Sequence, residues 1–164
     1  MKTESIEPKE KRKVLIDIDV VAVSEHYIND KDHPIARTFV DRVESGEFEN
    51  YTTHSLLSRV EIWRKEHIRE KVLNVYHDYC YIIPAIEIEA KSKDYNIIFE
   101  EVVERISKAG VKEEDAAIAL VSSLFGLALI TLNRKHLRNK RDEINKILKE
   151  VGLSEISILL PNEI

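Results

Sequence analysis

Short β-branched runs alternate with longer segments of helical periodicity along this chain. The run VLIDIDV at 14–20 predicts a strand, and its nearly continuous apolar character is typical of a strand buried on both faces. Further strands are predicted at 48–53, 81–85, 127–131 and 156–160, and helices at 33–46, 55–79 (one long helix or two joined ones), 95–109, 111–125 and 134–151. Since parallel strands need crossover connections, the alternation predicts an α/β fold, with helices on both sides of a mainly parallel sheet of roughly five strands.

One folded domain is expected, preceded by a charged segment. Residues 1–12 are polar and charged and include Pro8, so they are predicted to form a flexible leader, and the domain is expected to span 13–164. Hydrophobic residues make up 43% of the chain and charged residues 34%, which excludes a disordered protein because the apolar surface suffices for a core. Abundant Lys and Glu without any Gln is a pattern reported for thermophile proteins.

Membrane and disulfide-rich classes are excluded by simple patterns. The longest apolar run, residues 116–130, is interrupted by two serines and a glycine and falls short of the roughly 20 residues that cross a bilayer. The N-terminal residues carry no apolar stretch behind a basic region, so no secretory signal is expected and the protein is predicted to be cytoplasmic. A single cysteine, Cys80, excludes a disulfide framework and a Cys-rich zinc site.

Three aspartates are the main candidates for chemistry. Asp17 and Asp19 interrupt the first predicted strand near its carboxyl end, which is the edge where open α/β sheets bind ligands. Burying such carboxylates is costly without a cation or hydrogen-bond donors nearby. Asp115 opens the most apolar predicted helix, on the same stripe as Ile118 and Ala119, and is therefore expected to point inward. Thr131 and Asn133, after the fourth strand, could meet Asp17 across neighbouring strands, although both are also ordinary turn residues.

These residues resemble the PIN-domain ribonucleases, including the VapC-type toxins. The resemblance spans roughly residues 13–160 and is carried by Asp17 in LIDIDV and by EEDAAIALVSSLFGLALITLNRKHL, which contains Asp115, Thr131, Asn133 and His136. It implies an α/β/α fold in which three or four acidic residues hold Mg²⁺ or Mn²⁺ and cleave RNA. Asp17 and Asp115 match two of those acids, while Asn133 stands where the family has its late acid. Asp19, Thr131 and His136 are expected to be accessory.

The position of the family's glutamate has two candidates here. Counting from Ser55 gives Glu61 and counting from Thr53 gives Arg59, and the two lie about 200° apart on a helix of about 3.6 residues per turn, so only one can face the site. Glu61 is the preferred candidate because a divalent cation favours oxygen ligands. If Arg59 faces the site instead, the active site is degenerate.

The resemblance and the charges together predict a metal-dependent endoribonuclease that uses Mg²⁺ or Mn²⁺. The net charge of -5 disfavours a general nucleic-acid coat, but 131–141 contains five cations and no acid. Arg134, Lys135 and Arg138 in that stretch are expected to contact RNA, unless the stretch is simply a solvated face. The implied partners are an RNA substrate, a small antitoxin, and a second copy of the chain in a homodimer or higher homo-oligomer.

Two alternatives remain open from the sequence. A PIN-like domain that has lost its late acid could serve as a non-catalytic scaffold that binds RNA or protein. The motif Asp-x-Asp-x-Val also resembles the haloacid-dehalogenase-like phosphatases, in which Asp17 would be the nucleophile. That family requires a lysine and an acidic pair after a later strand, whereas the residues after Thr131 are basic.

Overall fold

The sheet is fully parallel and has five strands. The computed structural model describes residues 10–164. Its strands are β1 (Lys13–Ile16), β2 (Glu49–Thr53), β3 (Tyr81–Ile83), β4 (Ala128–Ile130) and β5 (Ile158–Leu159). They lie in the order β3-β2-β1-β4-β5, with Leu15 opposite Tyr51 on one side and Leu129 on the other. The predicted α/β fold with a parallel five-stranded sheet is therefore confirmed.

Eight α-helices connect the strands within the described residues. They are α1 (Ile18–Glu25), α2 (His33–Glu44), α3 (His54–Glu61), α4 (Glu66–Tyr79), α5 (Ala85–Asp94), α6 (Phe99–Ser107), α7 (Glu113–Phe125) and α8 (Arg141–Glu150), with 3₁₀ turns at Arg138–Lys140 and Pro161–Glu163. Since crossovers between parallel strands are right-handed, the connections that step from β1 to β3 lie on one face and those that lead to β4 and β5 on the other. The packing of α1 on α2 and α4, and of α7 on α5, α6 and α8, agrees with this three-layer arrangement.

The first predicted strand is too long by four residues. The strand ends at Ile16, and Asp17 accepts a hydrogen bond from the N–H of Ile18 as the N-cap of α1. Six of the eight residues of α1 are buried, so the segment lacks the polar face that would have shown a helical period. A continuous apolar run does not distinguish a buried strand from a buried helix.

Three other sequence expectations are corrected or refined. Residues 55–79 form two helices, α3 and α4, rather than one. The helix predicted at 134–151 begins only at Arg141, because the preceding residues form a turn and a 3₁₀ segment. Helix α5 was not predicted, and Ser92 is its only buried residue, so it has no apolar stripe to detect. The leader predicted at 1–12 falls mostly on residues 1–9, outside the described part of the chain.

The end of α7 leads the chain into β4, which lies between β1 and β5 in the sheet. Gly126 ends this helix in the left-handed region, with φ 67°, where a side chain would be strained. The chain then turns back into β4, all three residues of which are buried. No helix of residues 10–164 is both long and apolar enough to span a membrane.

Candidate active site

The candidate site lies where the direction of strand addition reverses. From β1 the chain adds β2 and β3 on one side, and it then returns to place β4 and β5 on the other side. Ligands of open α/β sheets bind at the carboxyl ends of the strands at such a switch point. The N–H of Asp17 donates to the carbonyl of Ile130 at 3.0 Å, so the ends of β1 and β4 are adjacent. The residues after these two strands therefore share one crevice.

Asp17 is held by its own helix and by β4. One carboxylate oxygen accepts from the N–H of Ile18 at 2.8 Å, and the other accepts from the hydroxyl of Thr131 at 2.9 Å. Only 7% of the residue is exposed. The pKa of Asp17 is raised to about 6, because burial and the negative charge of Asp115 outweigh the two hydrogen bonds and the charge of Arg59. Asp17 thus lies in a site where its negative charge is only partly compensated.

Asp19 shares the same crevice. Its carboxylate accepts from the N–H of Leu132 at 3.2 Å, and its other oxygen lies 3.5 Å from the hydroxyl of Thr131. Burial raises the pKa of Asp19 well above its ordinary value, and the neighbouring charge of Asp17 raises it further. The two aspartates of the first motif are therefore packed beside each other at the end of β4.

Asp115 reaches the site from the first turn of α7. It is half-buried, and its carboxylate accepts from the side-chain amide of Asn133 at 3.0 Å. Burial raises the pKa of Asp115, whereas the nearby charges of His136 and Arg59 lower it. The side-chain oxygen of Asn133 accepts from the N–H of His136 at 3.0 Å, which orients the amide group toward Asp115. Asn133 therefore presents an N–H donor to the acids, not the carbonyl oxygen that a metal would need.

The structure places Arg59, and not Glu61, beside these acids. The side chains of Leu56, Leu57 and Val60 are buried, which sets the rotation of α3. Arg59 then contacts Glu114 of α7 at 2.9 Å, and its charge lowers the pKa of both Asp17 and Asp115. Glu61 is exposed at the end of α3 and joins no acidic cluster. Of the two candidates on α3, the structure therefore directs Arg59 rather than Glu61 toward the acids.

The donor chemistry fits a hard divalent cation, but it does not provide a complete cage. Across residues 10–164, no group of three or more His, Cys, Asp or Glu side chains is arranged to enclose a metal ion. Mg²⁺ in phosphoryl-transfer sites commonly takes only one or two carboxylates and completes its shell with water and substrate phosphates. The charge of Asp115 raises the pKa of Asp17, and the charges of Asp17 and Asp115 raise the pKa of Asp19, so a bound cation would offset repulsion among these acids. The residues thus fit a weakly bound ion.

Two of the three predicted RNA-contacting residues are engaged within the protein. Arg134 makes two hydrogen bonds to the carboxylate of Asp32, at 2.8 and 3.0 Å, and this pairing lowers the pKa of Asp32. Arg138 pairs with Glu163 in the C-terminal 3₁₀ turn. Lys135 is exposed and has no ion-pair partner within 10–164. Of the three, Lys135 is the side chain best placed to contact a phosphate.

Arg134 is expected to contribute to stability. Its paired hydrogen bonds join the segment after β4 to the loop before α2, and the side chain of Asp32 is only 14% exposed. The substitution Arg134→Met should lower the free energy of unfolding by about 1 kcal/mol, because it removes a bidentate, partly buried ion pair. Urea denaturation measures this change. The control is Lys135→Met, and an equal loss in both variants would contradict the structural role of Arg134.

A groove of about 960 Å³ adjoins the acidic site. It lies between α3, α5, α6 and α7, and its lining includes Ile88, Phe99 and Val103. Arg59 and Glu114 belong to its lining, whereas Asp17, Asp19 and Asp115 do not. The three aspartates therefore lie beside the groove and not within it.

The phosphatase alternative receives no support from this geometry. The phosphatase pattern requires a lysine and an acidic pair after a later strand, and the residues that follow Thr131 are basic. The positive group that acts on Asp17 is Arg59 rather than a lysine. The site therefore favours oxygen donors around a cation over a covalent phosphoenzyme.

Comparisons with known proteins bear on the fold. No protein-family model matches the chain, and no curated protein is significantly similar to it. Among solved structures, the chain is similar to a chain of VapBC2 from Rickettsia felis bound to a DNA fragment from their promoter, with 12% identity and a TM-score of 0.55. The similarity covers 90% of this chain and 97% of the other. At this identity the likeness concerns the fold alone, and it confirms the expected PIN-like α/β/α architecture.

Proposed function

We propose that this protein is a metal-dependent endoribonuclease that hydrolyses phosphodiester bonds of RNA. The observation that carries the proposal is the meeting of Asp17, Asp19 and Asp115 at the carboxyl edge of β1 and β4, with burial and mutual repulsion raising the pKa of the first two. Perturbed pKa values cluster at functional sites, so a crevice that holds such groups is a candidate for one. The resemblance to PIN-domain ribonucleases supplies the reaction class.

Each polar residue of the site has a role in this proposal. Asp17, Asp19 and Asp115 would hold Mg²⁺ or Mn²⁺, which when bound lowers the pKa of a water and offsets charge on the leaving oxygen. Thr131 orients Asp17 through its hydroxyl, and Asn133 and His136 orient and partly neutralise Asp115. Lys135 would contact a phosphate of the RNA backbone.

The proposal is tested with purified protein, Mn²⁺ and a labelled single-stranded RNA. We expect endonucleolytic products that disappear when EDTA removes the metal, and a loss of cleavage of about a hundredfold in Asp115→Asn, since a candidate metal ligand is lost. The matched control is Asp78→Asn, because Asp78 is exposed near the amino edge of the sheet, away from the site. An absence of cleavage in the wild type, or equal cleavage by Asp115→Asn, would contradict the proposal.

A second candidate is a non-catalytic domain that binds RNA or protein. Arg59 and Asn133 favour this candidate. Arg59 brings a positive charge and Asn133 donates an N–H to the acids, at positions where a nuclease would have further carboxylates. Titration with Mn²⁺ separates the two candidates. RNA binding without metal binding at millimolar Mn²⁺ would favour the scaffold.

We propose in addition that this protein is cytoplasmic, and that it binds a small antitoxin and a second copy of itself. The resemblance to VapC-type toxins supports both partners, and VapBC2 offers a structural parallel of the same fold. Light scattering of the purified chain gives its oligomeric state, and a monomer at micromolar concentration would rule out the homo-oligomer.

A further inference from the structure

The geometry points to Arg59 as a built-in counter-cation of the acidic site, which competes with a divalent metal ion for Asp17 and Asp115 and keeps metal affinity low. This inference rests on the proposed function only in assuming that these acids bind a metal. It concerns Arg59, which stands where the resemblance to PIN-domain ribonucleases implies a glutamate and which has no role in the proposed hydrolysis.

The position of Arg59 is set by two elements. Helix α3 starts directly after β2, where the hydroxyl of Thr53 caps it by accepting from the N–H of Leu56 at 3.1 Å. The buried side chains of Leu56 and Val60 hold the inner face of the helix against the core. Arg59 therefore extends toward the start of α7, and its guanidinium contacts Glu114 at 2.9 Å.

The contact with Glu114 brings a positive charge to the acids. Glu114 precedes Asp115 in the first turn of α7, and the charge of the guanidinium held by Glu114 lowers the pKa of Asp115. The charge of Arg59 also lowers the pKa of Asp17 and so favours the ionised form of both carboxylates. One side chain thus acts on the two acids that the proposed metal ion would use.

Asn133 strengthens the same effect. Its side-chain N–H donates to Asp115 at 3.0 Å, while the N–H of His136 holds its oxygen on the opposite side. Asp115 therefore already accepts a hydrogen bond from the protein before any metal binds. A divalent cation must displace or repel these groups, and repulsion between a guanidinium and a metal ion in a partly buried crevice is strong.

Arg59 is exposed enough to be replaced without loss of the fold. Its side chain is 43% accessible, and the groups that pack α3 are Leu56, Leu57 and Val60. Removal of its charge should therefore change metal binding rather than folding. Arg105 offers a matched control, because its side chain is 48% accessible and it also pairs with a glutamate, Glu150, between two helices away from the acids.

The test measures Mn²⁺ binding to the full chain by the loss of the free-ion electron paramagnetic resonance signal. We expect Arg59→Met to bind Mn²⁺ about tenfold more tightly than the wild type, since one nearby positive charge has been removed. Arg59→Lys retains the charge and should bind like the wild type, as should Arg105→Met. Unchanged or weaker binding by Arg59→Met would overturn the inference, and so would an absence of binding in every variant.

Cleavage assays on the same samples separate this inference from the proposed function. Tighter Mn²⁺ binding by Arg59→Met without RNA cleavage by any variant would leave the inference standing and the proposed ribonuclease activity refuted. Cleavage by the wild type, together with the same Mn²⁺ affinity in the wild type and Arg59→Met, would support the ribonuclease activity and refute the inference about Arg59. Circular dichroism confirms that each variant is folded before either measurement.

Discussion

Asp17→Asn is expected to reduce RNA cleavage by about a hundredfold and, at the same time, to stabilise the fold at pH 7.5. The loss of activity follows from removing a candidate metal ligand with its charge. The gain in stability follows from removing a buried carboxylate whose charge is not fully compensated. Asparagine is as good an N-cap as aspartate, so the hydrogen bond to the N–H of Ile18 is retained.

The stabilisation depends on pH in a defined direction. The pKa of Asp17 is about 6 in the folded protein against an ordinary 3.8, so the folded state binds this proton more tightly than the unfolded state. The stabilisation from protonation is complete below pH 3.8 and is lost as the pH rises through about 6. A rise of this size corresponds to about 3 kcal/mol. Loss of the hydrogen bond from Thr131 costs about 1 kcal/mol, which leaves a net gain of about 2 kcal/mol.

Urea denaturation of the wild type and of Asp17→Asn at pH 4 and pH 7.5 measures this effect. We expect the variant to be more stable at pH 7.5, and its advantage to vanish at pH 4, where Asp17 is protonated in the folded state and partly protonated in the unfolded state. Asp78→Asn serves again as the control and should not alter the difference between the two pH values. A variant that is less stable than the wild type at pH 7.5 would show that Asp17 is a structural cap with a satisfied charge.

Tyr76→Ala is expected to cost about 3–5 kcal/mol of the free energy of unfolding, a large share of the roughly 5–15 kcal/mol that such domains possess. Tyr76 on α4 is fully buried, and its hydroxyl donates to the carbonyl of Ile16 at 3.1 Å. Truncation would leave a cavity below the end of β1 and an unsatisfied carbonyl. The site would then lose the support of the residue that precedes Asp17.

A companion variant separates the two contributions. Tyr76→Phe keeps the ring and removes only the hydrogen bond, so it should cost about 1 kcal/mol. Urea denaturation at pH 7.5 compares the three proteins. Similar losses in Tyr76→Phe and Tyr76→Ala would mean that the hydrogen bond, and not the packing of the ring, dominates at this position.

The layers of the fold could be predicted because they rest on local patterns. Strands β2 to β5 and helices α2, α4, α6 and α7 fall within the segments that the sequence predicts for them. Two helices, α1 and α5, were not predicted, for opposite reasons. Helix α1 is buried on nearly all sides, and α5 buries almost nothing, so neither carries an amphipathic stripe.

Some residues of the candidate site could be predicted from the sequence, and others only from the tertiary structure. The sequence alone indicated Asp17, Asp19, Asp115, Thr131 and Asn133, because residues at strand ends and helix starts are placed by the elements themselves; their catalytic roles stay predictions. Only the tertiary structure decided between Arg59 and Glu61, since the rotation of α3 depends on which side chains the core accepts. It also decided that Arg134 and Arg138 pair internally, because Asp32 and Glu163 lie 102 and 25 residues away from them along the chain. Charges that meet across such distances leave no periodic pattern in a sequence, and their pairing exists only once the sheet has brought them together.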